Sequence, residues 1–430
     1  MRTTSKHKLS NPSEFKTKLF HWAQTYDDVV WLDSNNHQGK YKTYDAILAV
    51  DAITSLRCDC QSAFERLSEY QATTKDWIFG YLSYDLKNDI EDLGSTNFDG
   101  LEFPDLYFFQ PKKIFLLREN MLEIQYLKMV DDEVSKDLNA IGATEVSAST
   151  EPCNPIKIKL RTFKDAYLEK VNHMLDHIHR GDIYEANFCQ EFYAEDSEIR
   201  PDIIFEKLNT ISKPPFAAYL KMEDKYLLSG SPERYIKKDG PKIISQPIKG
   251  TAPRSDDNEL DTHLKTQLSH DPKERSENIM IVDLVRNDLS QTAERGSVKV
   301  EELCKVYSFL QVHQMISTIT SHIVEHIDPV EVIKTTFPMG SMTGAPKISA
   351  MKIIEELEDA KRGVYSGSVG YIDPEHNFDF NVVIRSILYN ESKKYISYSV
   401  GSAITAKSDP LKEYEECLVK AKAMREVLEN

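Results

Sequence analysis

The stretch Pro272-Lys273-Glu274-Arg275-Ser276-Glu277-Asn278-Ile279-Met280-Ile281-Val282-Asp283-Leu284-Val285-Arg286-Asn287-Asp288 carries the reading of the fold. Proline is favoured at the first helical position, so a long helix opens at Pro272. Glu274 and Glu277 stand at i, i+3, which puts both carboxylates on one face. The same arrangement recurs near the other end of the chain. Asp409 is a good N-cap and Pro410 a good first residue. Glu413 and Glu416 follow at i, i+3, and Lys420 extends the stripe by a turn. Two such helices facing each other would gather four carboxylates, which cannot share a site without a cation. An all-oxygen set of that kind suits Mg²⁺, which keeps some waters and takes further ligands from an anionic substrate. Taken singly, each Glu-x-x-Glu reads as the solvated face of a helix in a chain with 69 acids.

Outward from this helix, strands and helices alternate irregularly. Val29–Leu32 is an apolar run stopped by the turn residues Asp33-Ser34-Asn35-Asn36. Residues 77–84, Trp-Ile-Phe-Gly-Tyr-Leu-Ser-Tyr, read as a buried strand. Short strands over 114–118 and 122–127 flank a Glu-Asn turn. Between Asp131 and Pro155 aromatics give way to Asp, Glu, Ser, Thr and Ala, the composition of a surface connection. This places a boundary between residues 1–155 and 156–430. Beyond it, Thr162–His179 has helical apolar spacing ended by Gly181, a further helix runs from Pro346 to Gly363, and Tyr395–Val400 alternates as a strand does.

Composition limits the partners. The 53 Lys+Arg and 69 Asp+Glu leave a net charge of −16, which argues against nucleic acid and against an anionic membrane face. With 40% hydrophobic and 10% aromatic residues the chain is globular. No stretch approaches the ~18 apolar residues of a membrane span. Met1–Ser10 is polar and lacks the apolar centre of a signal peptide, so a cytoplasmic protein is expected. The six cysteines (Cys58, Cys60, Cys153, Cys189, Cys304, Cys417) are too scattered for a disulfide framework or a zinc site.

Three further segments bear chemistry. Gly340-Ser341-Met342-Thr343-Gly344-Ala345-Pro346-Lys347 precedes a helix, where small residues expose backbone N–H groups to an anion; it lacks the Gly-Lys-Ser/Thr of a P-loop, and an ordinary helix start fits equally. In Pro247-Ile248-Lys249-Gly250-Thr251 a lysine sits between an apolar residue and a flexible glycine. It is either a solvated turn lysine or an amine nucleophile, and the latter requires that burial or a nearby cation keep it neutral. Gly363–Tyr371, Arg385 and Gly401-Ser402-Ala403 combine small residues that admit a ligand to the backbone with a strand arginine. That arginine suits a carboxylate ligand or one of the chain's own acids.

In order, these segments resemble the chorismate-utilising enzymes: anthranilate synthase large subunit, aminodeoxychorismate synthase component I, isochorismate synthase and salicylate synthase. Residues 274–288 resemble the family's central helix and 340–347 its Gly-Ser-x-Thr-Gly-Ala-Pro-Lys turn. Arg362-Gly363-x-Tyr365, Gly370-Tyr371, Ile384-Arg385-Ser386 and Glu413-x-x-Glu416 also match. The resemblance implies an α+β fold of two antiparallel β-sheets packed as a sandwich with outer helices, the two sequence regions sharing the sheets. It implies one Mg²⁺ among Glu274, Glu277, Glu413 and Glu416, with Glu277 and Glu416 closest. It also implies substrate contacts from Arg385, Tyr371, Lys420, Thr251, Ser341 and the backbone at Gly401 and Ala403. His313 would assist proton handling at the leaving hydroxyl, or serve as a hydrogen-bonded core histidine.

Within the family, Lys249 stands where anthranilate synthases carry Ala, in Pro-Ile-Ala-Gly-Thr, and resembles the lysine of the aminodeoxychorismate synthases. The implied chemistry has Glu233, raised in pKa, protonating the 4-hydroxyl, Lys249 attacking C2, and ammonia displacing the lysine at C4. No cysteine lies in a glutaminase-type elbow, so a separate glutaminase subunit is expected to supply ammonia, and no fused lyase follows before Asn430. The alternatives are an anthranilate synthase component I, opposed by Lys249, and a non-catalytic chorismate-binding regulatory subunit, opposed by the intact acid set. Glu185, in Gly181-Asp182-Ile183-Tyr184-Glu185-Ala186-Asn187, departs from the Gln of amino-transferring members and from the Lys of the water-adding ones. Leu32-Asp33-Ser34 resembles part of a tryptophan site, but Pro214–Tyr219 lacks the companion Met. For Ser34 a structural strand end is expected.

Overall fold

A computed structural model describes residues 1–145, 156–310 and 312–429. All the named strands join one hydrogen-bonded network, and every ladder between them is antiparallel. The network branches at Leu106–Arg118, a 13-residue strand. One side of it pairs along its length with Ala46–Cys58. Its other side is divided between Ile78–Leu82 and Met121–Leu127. One limb runs from Ala46–Cys58 through Asp28–Asp33, Phe216–Met222, Lys225–Ser231, Ser386–Asn390 and Tyr395–Thr405 to Glu185–Ala194. The other runs from Ile78–Leu82 through Ser368–Ile372, Phe378–Asn381, Arg234–Asp239 and Lys242–Gln246 to Val312–His322, which also takes Ile248–Pro253.

The period-2 pattern explains the layering. Val30, Ala218 and Leu220 enter a core shared with Phe79, Ile236 and Phe380 of the other limb. Their neighbours Val29, Trp31, Ala217 and Tyr219 point the opposite way, into a second core with Phe20, Tyr167, Phe205 and Cys417 from the helices. The expected sandwich with outer helices is thus present. Its two layers are continuous, because Leu106–Arg118 is long enough to serve both. Strands from before residue 155 pair with strands from after it, as Asp28–Asp33 does with Phe216–Met222 and Ile78–Leu82 with Ser368–Ile372.

Two segments differ from the sequence reading. The surface connection expected from Asp131 contains a helix, Val134–Ala143, that buries Ile141 and Asp137; the carboxylate of Asp137 binds Lys113 Nζ at 2.6 Å. Residues 146–155, with Cys153, lie outside the described residues. The helix expected to reach Gly363 spans Lys347–Leu357. It stops because Glu358 turns inward, accepting from Cys189 N at 2.9 Å and clasping Arg362 at 2.6 and 2.8 Å. No helix among the described residues is long and apolar enough to cross a membrane. The five described cysteines are unpaired.

Candidate active site

The free ends of the two limbs meet at one point. Glu185 opens the last strand of the first limb, and Lys249 lies on Ile248–Pro253 of the second. Lys249 Nζ donates to Glu185 Oε1 at 2.9 Å, with side chains 11% and 2% exposed. Local sequence sets this meeting. Against Val312–His322 the ladder slips between Ile248 and Thr251, fitting three steps of one strand to two of the other. Such a bulge re-aims a side chain. Gly250 takes φ +95° there, and a Cβ on it would come within 3.0 Å of Glu274 Oε2. Asn278, one residue past Glu277, donates to the Lys249 carbonyl at 3.4 Å and so ties the bulge to the helix.

Glu185 is fixed by its backbone. Its strand pairs with Tyr395–Thr405 on one side and with Gly344–Ala345 on the other. A Cβ at Gly344 would lie 2.1 Å from the Glu185 carbonyl oxygen, so the small residues of the 340–347 turn serve a close backbone approach. Lys347 Nζ, at the start of the following helix, binds Asp288 at 2.7 Å and anchors the turn to the helix Pro272–Ser290.

Around Lys249 stand the acids. Pro272–Ser290 begins where expected, with Asp271 capping Lys273 N and Glu274 N. Pro410–Glu429 begins with Asp409 capping Leu411 N and Lys412 N. Glu277 and Glu413 are buried and share the ammonium of Lys273, 3.8 Å from each. Burial pushes the Glu277 carboxyl up to about 7, against the pull of Lys249. Burial also raises Glu274, with Glu416 adding like charge. At Glu416, burial is outweighed by Lys420, 2.7 Å away, and the carboxyl is lowered. Among the described residues no three potential ligands are gathered closely enough to hold a metal; Lys273 takes the counter-ion's place. The donors still suit Mg²⁺: they are all oxygen, and Glu277 Oε1 is buried without a hydrogen-bond partner.

Glu233, at the turn into Arg234–Asp239, is 4% exposed. Burial pushes its carboxyl up to about 7, while the Ser341 hydroxyl, Lys249 and Arg385 pull the other way. Ser341 is buried beside it. The Arg385 guanidinium makes no hydrogen bond or ion pair among the described residues, and burial lowers its pKa although Glu233 opposes this. A cation in that state is a receptor for an anion. Lys420 Nζ donates to the Gly401 carbonyl at 2.9 Å. Gly401 lies opposite Cys189 and Ala403 opposite Asn187.

Three expected contacts fall elsewhere. Tyr371 packs against Trp77 and Phe79 and lines a cavity of about 600 Å³ with Tyr41, Arg234 and Asn381. The tyrosine nearer the Gly401 floor is Tyr365, whose hydroxyl is 3.6 Å from Cys189 Sγ. A Cβ on Gly401 would come 2.5 Å from that same sulfur. His313 has both ring nitrogens engaged, Nδ1 with Ser308 at 2.9 Å and Nε2 with Asp261 at 3.0 Å, so the core-histidine alternative describes it here. Thr251 is exposed and paired with Gln314. Lys249 is not neutral either. Burial lowers its pKa, but Glu185 and then Glu277 outweigh burial, and the net direction is up. The cavity beside Tyr371 brings Leu32 and Ser34 together with Pro215 and Phe216, two segments far apart in sequence.

Comparison with known proteins bears on the family and the fold. The family of chorismate binding enzymes matches residues 27–426. Aminodeoxychorismate synthase component 1 of Bacillus subtilis is 33% identical over 81% of this chain and 76% of its own length. Anthranilate synthase component 1 of Thermus thermophilus is 32% identical over 82% and 77%. The crystal structure of anthranilate synthase component I from Streptococcus pneumoniae superposes with a TM-score of 0.77, at 22% identity, over 91% of this chain and 95% of that one, and so shares the fold. Fold, ordered motifs and relatives agree: the chain belongs to the chorismate binding enzyme family.

Proposed function

We propose that this chain converts chorismate and ammonia into 4-amino-4-deoxychorismate, acting as the chorismate-converting component of an aminodeoxychorismate synthase. The ammonia would come from a separate glutaminase subunit. One observation carries the reading: a lysine, mostly buried at the junction of the limbs, shares its site with a carboxyl whose pKa is raised to about 7. Anthranilate synthases, which carry Ala at the Lys249 position, have no amine to offer there.

Each group has a task. Arg385, with no hydrogen bond or ion pair among the described residues, receives a substrate carboxylate. Glu233 holds a proton for the departing 4-hydroxyl, which leaves as water. The Lys249 amine forms a bond to C2 as the ring π electrons shift and the C4–O bond breaks. Ammonia then bonds to C4, the electrons shift back, and the C2–N bond breaks. Splitting one difficult substitution into two is the gain of covalent catalysis. Mg²⁺ held by Glu274, Glu277, Glu413 and Glu416 would supply charge neutralisation for the ring carboxylate.

The test is the product formed from chorismate, Mg²⁺ and ammonium, with and without a glutaminase partner. Aminodeoxychorismate is expected; anthranilate or isochorismate in its place refutes the reading. Lys249→Ala should weaken or redirect amination, and mass spectrometry of the unaltered protein should trap a Lys249 adduct. Full amination by that variant removes the covalent route.

A further inference from the structure

Resting on the proposed amination, we propose that Glu185 is a second catalytic acid–base: it takes the proton from Lys249 before attack on the ring and returns it when the lysine leaves. A lysine ammonium has no lone pair, so the nucleophile must first lose a proton. Bulk water is poorly placed to accept it, since both side chains are almost fully buried. Glu185 Oε1 is 2.9 Å from Nζ, within the reach required of a general base. Its other oxygen, Oε2, is buried and has no hydrogen-bond partner among the described residues, so no second donor competes with Lys249 for the carboxylate. The carboxylate cannot drift away, because strands on both sides and the close approach of Gly344 fix its backbone.

The other acids near Lys249 have different tasks. Glu233 must enter the reaction protonated. Glu277 and Glu274 approach from Pro272–Ser290 and Glu416 from Pro410–Glu429, as part of the proposed metal set. Among the described acids that act on Lys249, Glu185 alone belongs to neither group.

The steps balance. The Nζ–H bond breaks and an O–H bond forms on Glu185. The Nζ lone pair then forms the C2–N bond, and water departs from C4 with the proton of Glu233. After ammonia bonds to C4 and the lysine leaves as an amine, Glu185 protonates it. The extra proton of the new ammonium group restores Glu233.

The experiment follows adduct formation on mixing with chorismate and Mg²⁺ without ammonia, by quenching and mass spectrometry, from pH 6.5 to 9. The unaltered protein should form the adduct at a rate that falls above neutrality only as Glu233 loses its proton. Glu185→Gln should be at least ~100-fold slower at pH 7. Its rate relative to that of the unaltered protein should recover with rising pH, because deprotonation then depends on the medium. Glu185→Asp, which keeps a carboxylate, should be slowed without gaining that pH dependence, and it decides the matter if the Gln variant does not fold. A Glu185→Gln rate within twofold of the unaltered protein at pH 7, or identical pH profiles for the Gln and Asp variants, overturns the proposal. If the unaltered protein forms neither adduct nor aminated product, the functional reading itself has failed.

Discussion

Glu233→Gln separates catalysis from stability in opposite directions. The carboxyl of Glu233 moves from an ordinary 4.5 to about 7, chiefly through burial. A raised carboxyl favours folding while it is protonated. Its contribution is complete below pH 4.5 and is lost as the pH rises through 7. At ~1.36 kcal/mol per pH unit, the full loss is roughly 3 kcal/mol. Glutamine has the same shape and no proton to lose. The variant should therefore match the unaltered protein near pH 4.5 and exceed it at pH 8, by up to roughly 3 kcal/mol.

Activity should move the other way. A neutral amide cannot protonate a leaving hydroxyl, and loss of a positioned acid costs ~10²–10⁴ in rate. The unaltered protein should itself lose amination above pH 7, approaching tenfold per pH unit as Glu233 ionises. The assays are thermal midpoints of both proteins at pH 5 and 8 in metal-free buffer, and initial rates over pH 6–9. A Glu233→Gln protein that is slow but no more stable at pH 8 would show that the carboxyl is not desolvated as the structure has it. A fast one would remove Glu233 from the chemistry.

Other outcomes follow from single contacts. Arg385→Gln should raise KM for chorismate by ~10–100-fold, the worth of a charged hydrogen-bonded contact, while the thermal midpoint holds or rises, since the guanidinium makes no hydrogen bond or ion pair among the described residues; a drop in stability with KM unchanged would make Arg385 structural. Gly344→Ala sets a methyl 2.1 Å from the Glu185 carbonyl and 2.8 Å from Ala350 Cβ, so the strands must part at a cost of ~1–3 kcal/mol, and scanning calorimetry should show a lower midpoint; an unchanged one contradicts the close approach. Lys273→Ala removes the ammonium between Glu277 and Glu413, and titration calorimetry should show tighter Mg²⁺ binding; equal or weaker binding would mean that ammonium and metal do not compete.

What the sequence discloses follows from the range of the interactions. Helix starts depend on a few adjacent residues, and Pro272 and Pro410 announce theirs. Alternation over Asp28–Asp33 and Ile78–Leu82 is also local. The end of Lys347–Leu357 is not, because it depends on where Glu358 finds Cys189 and Arg362. The continuity of the two layers hangs on how two long strands register, which periodicity does not encode. At the site, Lys249 and Glu233 are reached by resemblance, but the charge on Lys249 is not. That charge comes from Glu185, 64 residues away in sequence. The tether from Asn278 and the place of Lys273 between two acids have the same long-range origin. Tyr365 and Tyr371 are close in sequence, yet alternation and a turn send one toward Cys189 and the other into the aromatic wall of the large cavity.

The chain carries −16 overall, yet its proposed substrate is a dianion, and the site geometry bears on how the two meet. Glu185, Glu233, Glu274, Glu277, Glu413 and Glu416 stand against Lys249, Lys273, Lys420 and Arg385. Counted at face value that is a surplus of two negative charges. Glu233 and Glu277, however, sit at about 7 and hold a proton for part of the time at neutral pH. Each proton removes one of the surplus charges, so the site lies between −2 and neutral rather than sharing the charge of the surface. A divalent cation would then supply the two positive charges that a dianion needs, without demanding that any acid be removed. One of these protons serves the chemistry, that on Glu233 for the leaving hydroxyl. Two buried acids of one site thus differ in their contacts. Glu233, without an ion pair among the described residues, is raised by burial, whereas Glu185 is hydrogen-bonded to the Lys249 ammonium. The separation of acid from base rests on which carboxylate the lysine touches.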